Sequence, residues 1–262
     1  MMGGAYIQIS LWQLAIALVL VGVAGAASVL YELRLQKDLA IGTFRTFAQL
    51  FAMGYLLKII FNLHSMLLVM GVYMVMTWFS VRIIKGRVKE KSIDYYAPTM
   101  VSVMVSYTLV TFIVTGIIIG AKPWWTPQYF IPIGGMVAGN SMNALAIGLE
   151  RFFSELRNRK DQVEMMLCLG ADFREASKEM FRNALKAGMI PSINSMMGVG
   201  IVSIPGMMTG QILAGADPAD AVRYQIVVML MIVAATALSS LIVLHLVRRR
   251  CFGPAMNLLL KN

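Results

Sequence analysis

The sequence predicts an all-α membrane protein with about seven transmembrane helices, and three observations carry that prediction. Of 262 residues, 58% are hydrophobic and only 14% charged, and the mean hydropathy is +0.72. A water-soluble domain carries roughly a quarter charged residues, enough to dress its surface. The apolar residues fall in runs of bilayer length, and the basic residues lie between the runs. A net charge of +10 would suggest nucleic acid if it formed a patch on a soluble domain; spread between apolar runs it reads as positive charge held at a membrane face, and no nucleic-acid partner is expected. The two cysteines, Cys168 and Cys251, have no redox or metal spacing. The 22 methionines suit adaptable packing first, although a thioether is also a soft metal ligand.

About 20 apolar residues cross roughly 30 Å of hydrocarbon. Seven runs qualify: 10–31, 40–60, 65–84, 99–121, 129–149, 187–211 and 223–247. The first has no Lys or Arg before it and is read as a span, not a cleaved leader. With the N-terminus outside and the C-terminus inside, all but four of the 23 Lys and Arg fall in cytoplasmic segments: Arg34 and Lys37, Arg82 to Lys91, Arg151 to Lys186, and Arg248 to Lys261. The exceptions are Arg45, Lys58, Lys122 and Arg223. This asymmetry sets the expected topology as N-out, C-in. None of the 13 acidic residues lies mid-span, so the intramembrane carboxylate of a proton-coupled carrier is missing, and energy for any transport is expected from elsewhere.

In the second span Arg45 and Gln49 sit one turn apart. Arg45 is an intramembrane charge close enough to the edge to snorkel; Gln49 lies deeper. On the third, Met66, Met70 and Met74 have no polar company and read as packing. The fifth contains IPIGGMVAGNSMN over 131–143. Gly135 and Gly139 form a small-xxx-small pair, and Met136, Asn140 and Asn143 recur along one stripe that is either helix glue or pathway lining. Between the fifth and sixth spans, 150–186 is the single long loop. Within it Ala171–Asn183 reads as an amphipathic helix, with Phe173, Ala176, Met180 and Phe181 on one face. It would lie on the membrane surface or in a groove of a cytoplasmic partner. Gly170 and Ala171 supply the bend before it. The sixth span is broken by its own composition, with Pro191, Gly198, Gly200, Pro205 and Gly206, and freed backbone at bilayer depth needs protein or a wet cavity around it. His64 and His245 stand near span ends and form no cluster. No phosphate-binding loop, HExxH or GxSxG occurs, and no catalytic residue, cofactor site or catalytic constellation is expected.

The motifs IPIGGMVAGNSMN and VGIVSIPGMMTGQILAGADP (199–218), followed by Tyr224-Gln225-Ile226-Val227, resemble the FetB/YbbM-type membrane subunits of ABC transporters. That family includes bacterial iron exporters and plant aluminium-tolerance half-transporters. Arg45, Gln49, Gly54, Tyr55 and Lys58 also fall at its spacing, and the likeness runs over about residues 12–250. The resemblance implies one permease domain over 1–262 in a bacterial inner membrane, working as a homodimer with a separate cytoplasmic ABC ATPase that binds ATP and Mg. It further implies that Gly170, Ala171, Phe173 and Phe181 belong to the segment coupling to that ATPase. Some members carry Asp and Lys around the serine of the sixth-span motif, where this chain has Asn194 and Met197. The cargo implied is iron or another metal ion; a nucleotide sugar, or a membrane anchor that transports nothing, are the alternatives. Met136, Asn140, Met207 and Met208, with Gln49, Asn143 and Ser203 nearby, are expected to line a pathway at the homodimer axis. Met136, Met207 and Met208 are the candidate metal-contacting side chains.

Overall fold

A computed structural model of the chain describes residues 9–63, 65–253 and 257–260. His64 and Lys261 lie outside them. The described residues are helical throughout, apart from turns and two isolated bridges. Six helices are long and apolar enough to cross a membrane, and the protein is an all-α, multi-pass integral membrane protein.

The helices group into two compact units. The first is a hairpin of α1 (Leu11–Leu30) and α2 (Gln36–Leu63), with which residues Leu213–Gly215 cluster. Ser10 and Gln13 form a reciprocal capping box at the start of α1, satisfying donors that helix ends leave open. At its other end the Ser28 hydroxyl accepts from Leu35 N–H at 3.0 Å, which closes a tight turn containing Glu32 and Arg34 at positive φ. Both helices bury little of their apolar surface within the protein, as lipid-facing helices do.

The second unit is a bundle of α3 (Met66–Arg87), α4 (Tyr96–Phe112, extended by a π-helical stretch Ile113–Ile118), α5 (Pro127–Asn158), α8 (Lys178–Gly198) and α10 (Pro218–Arg250). Three short helices complete it: α6 (Lys160–Cys168), α7 (Phe173–Ala176) and α9 (Gly206–Leu213). Small residues set the closest crossing. A Cβ on Gly188 of α8 would stand 2.9 Å from the Ala144 carbonyl of α5, and Gly148 faces the Ala184 carbonyl in return. Hydroxyls join the other helices: Ser102 donates to the Ser239 carbonyl at 2.6 Å, and Ser192 meets Thr236 at 3.2 Å. The expected pair Gly135 and Gly139 does not make such a crossing. Gly139 has open space around its Cβ position and Gly135 meets only the end of Met76.

One end of this bundle is basic and tied by ion pairs. Arg157 of α5 pairs with the buried Glu90 between α3 and α4, and Arg250 of α10 with Asp94 at 3.0 Å. Glu90 also accepts from Lys91 N–H and from Ser92. Burial alone would raise its pKa, but the Ser92 hydrogen bonds and the Arg157 charge outweigh it and hold the carboxyl below its ordinary range.

The break expected in the run 187–211 is present, and it leaves six helices long and apolar enough to cross a membrane: α8 ends at Gly198, the chain turns through Val199–Pro205, and α9 restarts at Gly206. Gly200 takes a positive φ of 84°, a conformation open to glycine at no steric cost, and the Gly198 carbonyl collects the Val202 N–H at 2.9 Å. The amphipathic segment Ala171–Asn183 is likewise two pieces, α7 and the first turns of α8, with Ser177 between them outside helical geometry.

Candidate functional site: an uncharged cavity and a clamped loop at the basic end

The break between α8 and α9 opens a cavity of about 650 Å³, entirely within the second unit. Met136 and Asn140 of α5, Asn194 and Ser195 of α8, Ser203 of the break, Met207 of α9, and Gln225 and Met229 of α10 bound it. None of its lining residues is charged. Its polar side chains are partly occupied by their own helices. Asn140 Nδ2 donates to the Met136 carbonyl at 2.8 Å and Ser195 Oγ to the Pro191 carbonyl at 3.0 Å. Gln225 is the exception: it is 5% exposed, and its Oε1 is buried with no hydrogen-bond partner among the described residues. Gln225 and Met229, one turn apart on α10, also line a second, more apolar cavity of about 400 Å³ with Met196 and Met208. The two side chains therefore form the wall between the cavities.

Of the residues expected on a pathway, Met136, Asn140, Ser203 and Met207 stand around the first cavity and Met208 on the second. Asn143 does not join them. It lies in a groove nearer the basic end, where its Oδ1 accepts from Arg87. Gln49 and Arg45 are exposed on α2 in the other unit. The sequence does not place Gln225, Met229 or Asn194 on the lining: Gln225 appears there within the Tyr224-Gln225 stretch of the family motif, Asn194 as the residue standing in place of a charged one in the sixth-span motif, and Met229 carries no signal in the sequence. Among the described residues no group of three or more His, Cys, Asp or Glu is placed to hold a metal ion.

At the basic end, Gly170 turns the chain at a φ of 94°, and Asp172 caps α7 through Glu175 N–H in a capping box. The inward face expected for this segment is present: Ala176 and Met180 are each 2% exposed. Phe173 and Phe181, expected as docking anchors, are half-buried against this chain. Phe173 packs on Phe252 at 5.8 Å between ring centres, and Phe181 lies beneath the Arg248 guanidinium at 5.1 Å. The outward apolar residue is instead Leu169, 79% exposed.

In the sequence Arg248 is one residue of a basic run, Arg248–Arg250. It is 8% exposed, donates from Nε to Ser177 Oγ at 2.7 Å, and from Nη2 to the Arg174 carbonyl. Ser177 in turn donates to the Phe173 carbonyl. The last turn of α10 is thus clamped onto the junction of α7 and α8. The same helix carries Gln225 at the cavity, roughly 35 Å away at 1.5 Å per residue.

The chain is 35% identical over 243 residues to the UPF0014 membrane protein slr1647 of Synechocystis sp., covering 92% of this chain and 94% of that protein. It is 32% identical to the protein named "Probable iron export permease protein FetB" of Escherichia coli, covering 92% of each chain. It is 31% identical to the protein named ALUMINUM SENSITIVE 3 of Arabidopsis thaliana, over 87% of this chain and 82% of that one. No solved structure matches it. With residues 11–252 matching the uncharacterised protein family UPF0014, this membrane protein belongs to that family.

Proposed function

We propose that the chain is the membrane-spanning permease subunit of an ABC exporter for iron or another metal ion, driven by a separate ATPase. The observation that carries this reading is the double role of α10, which bounds the uncharged cavity with Gln225 and Met229 and is clamped by Arg248 to the Phe173–Phe181 segment. A push on that segment from outside the membrane has a rigid helix along which to reach the cavity. In this reading the basic end faces the cytoplasm, the N-terminus lies outside, the whole chain acts as one permease domain in a bacterial inner membrane, and two copies work with two ATPases. ATP and Mg belong to the ATPase. The name of the E. coli relative supports the cargo class. A bulky neutral or nucleotide-sugar cargo is the second reading, favoured by a cavity far larger than a bare ion requires.

The test is ATPase turnover of the permease reconstituted with its co-purifying ATPase, scanned across iron(II), other divalent metals and UDP-sugars. Stimulation by metals supports the reading, and stimulation by UDP-sugars alone replaces the cargo. Turnover indifferent to every cargo would leave only a membrane anchor. Docking is tested at Leu169, whose side chain is free of internal duty: Leu169→Asp should release the ATPase from a permease that remains monodisperse. Phe173→Ala with Phe181→Ala reads docking and the internal packing together.

A further inference from the structure

We propose that the pocket where the last turns of α10 meet the α7–α8 junction binds the phosphate of an anionic membrane phospholipid, whose acyl chains run along the exposed face of α10. The inference needs only the membrane class of the protein, and it stands or falls separately from the permease reading.

Four observations lead there. First, the pocket is walled by cations. It has a volume of about 360 Å³ and is lined by Phe173, Arg174, His245, Leu246, Arg248 and Arg249, with no acidic residue among them. None of the three arginines forms an ion pair among the described residues. Second, Arg248 is buried without a bonded counter-charge. It is 8% exposed, and its hydrogen bonds go to two neutral oxygens, Ser177 Oγ and the Arg174 carbonyl. A buried charge is costly until an opposite charge joins it. The Asp172 charge acts on Arg248, and the Arg174 charge opposes it. Asp172 lies outside the lining and is spent on the cap of α7, where its Oδ1 accepts from Glu175 N–H at 2.6 Å.

Third, position selects a lipid as the source of the phosphate. Between Arg223 and Arg248, α10 carries no Asp, Glu, Lys or Arg. That stretch is roughly 37 Å long at 1.5 Å per residue, enough to cross roughly 30 Å of hydrocarbon. Arg248 and Arg249 follow directly, at the level of the headgroups. Fourth, the wall continues as apolar surface. Leu241 and Leu246 are 50% and 37% exposed, and Leu241, His245 and Arg249 succeed one another turn by turn on an exposed face of α10. A free phosphate has no use for that surface, whereas a phospholipid uses both parts. Guanidinium groups meet phosphate oxygens in paired hydrogen bonds, and basic pockets between helices at a membrane face hold anionic headgroups. With the phosphate in place, the last turn of α10 and the α7–α8 junction share one anion, which tightens the clamp.

The test uses the purified full-length protein in detergent, stripped of lipid, with phosphatidylglycerol, phosphatidylcholine and glycerol phosphate as ligands and native mass spectrometry as the readout. Phosphatidylglycerol should bind at least about tenfold tighter than phosphatidylcholine, whose ammonium the arginines repel. Equimolar glycerol phosphate should not displace it. Arg174→Gln with Arg249→Gln should weaken phosphatidylglycerol by about twentyfold, the effect of two basic side chains near an anionic headgroup. Arg182→Gln with Lys186→Gln removes the same charge from exposed positions outside the lining and should leave binding unchanged. In the unmodified protein, phosphatidylglycerol and not phosphatidylcholine should slow proteolytic cleavage between Gly170 and Lys178. Equal binding of the two lipids, or equal losses in the two double variants, overturns the proposal, because overall charge then holds the lipid. Displacement by equimolar glycerol phosphate overturns it in favour of a soluble phosphate. Failure of either lipid to bind overturns it as well and leaves the pocket to an acidic side chain of a partner protein. Cleavage indifferent to phosphatidylglycerol overturns the seat at the clamp. Cargo-stimulated ATPase turnover enters none of these measurements, so the permease reading is tested apart from them.

Discussion

Two prolines in the same stretch of chain have opposite outcomes. Pro191 sits inside α8 and the helix runs through it; at Pro205 the helix is already lost and α9 begins only at the following residue. Both prolines lack an N–H and crowd the preceding turn, so the difference lies in their neighbours. Around Pro191, Gly188 is pressed against the Ala144 carbonyl and buried Ser192 meets Thr236, so α5 and α10 hold the helix on both sides of the defect. Around Pro205, Ile201, Val202 and Ile204 are 90%, 84% and 65% exposed, and α9 contains no buried residue. A helix runs through a proline where packing holds it on both sides, and in this chain the break that opens the cavity lies in the unpacked Val199–Pro205 turn, where Gly200 takes a positive φ.

The comparison breaks first at Gly188. Gly188→Val drives a side chain into the Ala144 carbonyl and should destabilise the bundle by about 3 kcal/mol, the upper range for overpacking, read as a fall in the melting temperature in detergent. Gly139→Ala, with open space at its Cβ, should stay within about 0.5 kcal/mol. If the two substitutions cost the same, α5–α8 packing is not what carries the helix through Pro191.

Next comes the clamp. Arg248→Met removes the bonds to Ser177 and the Arg174 carbonyl and should cost about 2 kcal/mol, as lost hydrogen bonds from a buried charge do. Limited proteolysis should then cut between Gly170 and Lys178 faster, while the Val199–Pro205 turn stays as protected as in the unmodified protein. A change confined to the cavity would place Arg248 in a different role.

A smaller effect is expected at the break itself. Gly200→Ala must hold a Cβ at a φ of 84° and should lose about 1 kcal/mol, whereas Gly206→Ala, with nothing within 4 Å, should be neutral. Equal outcomes would mean that the Val199–Pro205 turn tolerates other conformations.

The smallest effect serves as a control remote from both prolines. Because the folded-state pKa of Glu90 is depressed, its contribution is fully present above the ordinary value of 4.5 and is lost as pH falls below that value through the folded pKa. Acidification from neutral pH should loosen the Val88–Asp94 connection in hydrogen exchange, and Glu90→Gln should abolish that dependence without touching the turn at 199–205.

The sequence by itself determined the all-α membrane class, because bilayer-length apolar runs and charge at their ends follow from the cost of leaving backbone and charge unsatisfied in lipid. It also foretold that the run 187–211 is broken, and the inward face of Ala176 and Met180, since proline, glycine and the 3.6-residue period act locally. Only the tertiary structure decided the rest. That α8 runs through Pro191 depends on Ala144 and Thr236, residues far away in the chain. That Gly188, and not Gly139, makes the close crossing depends on which face of α5 meets α8. That Asn143 leaves the stripe for Arg87, that Gln225 stands at the cavity with an unpaired oxygen, and that one arginine of a basic run is buried under the α7–α8 junction are consequences of how helices rotate against one another. Periodicity assigns a residue to a face, but only packing assigns the face to a neighbour.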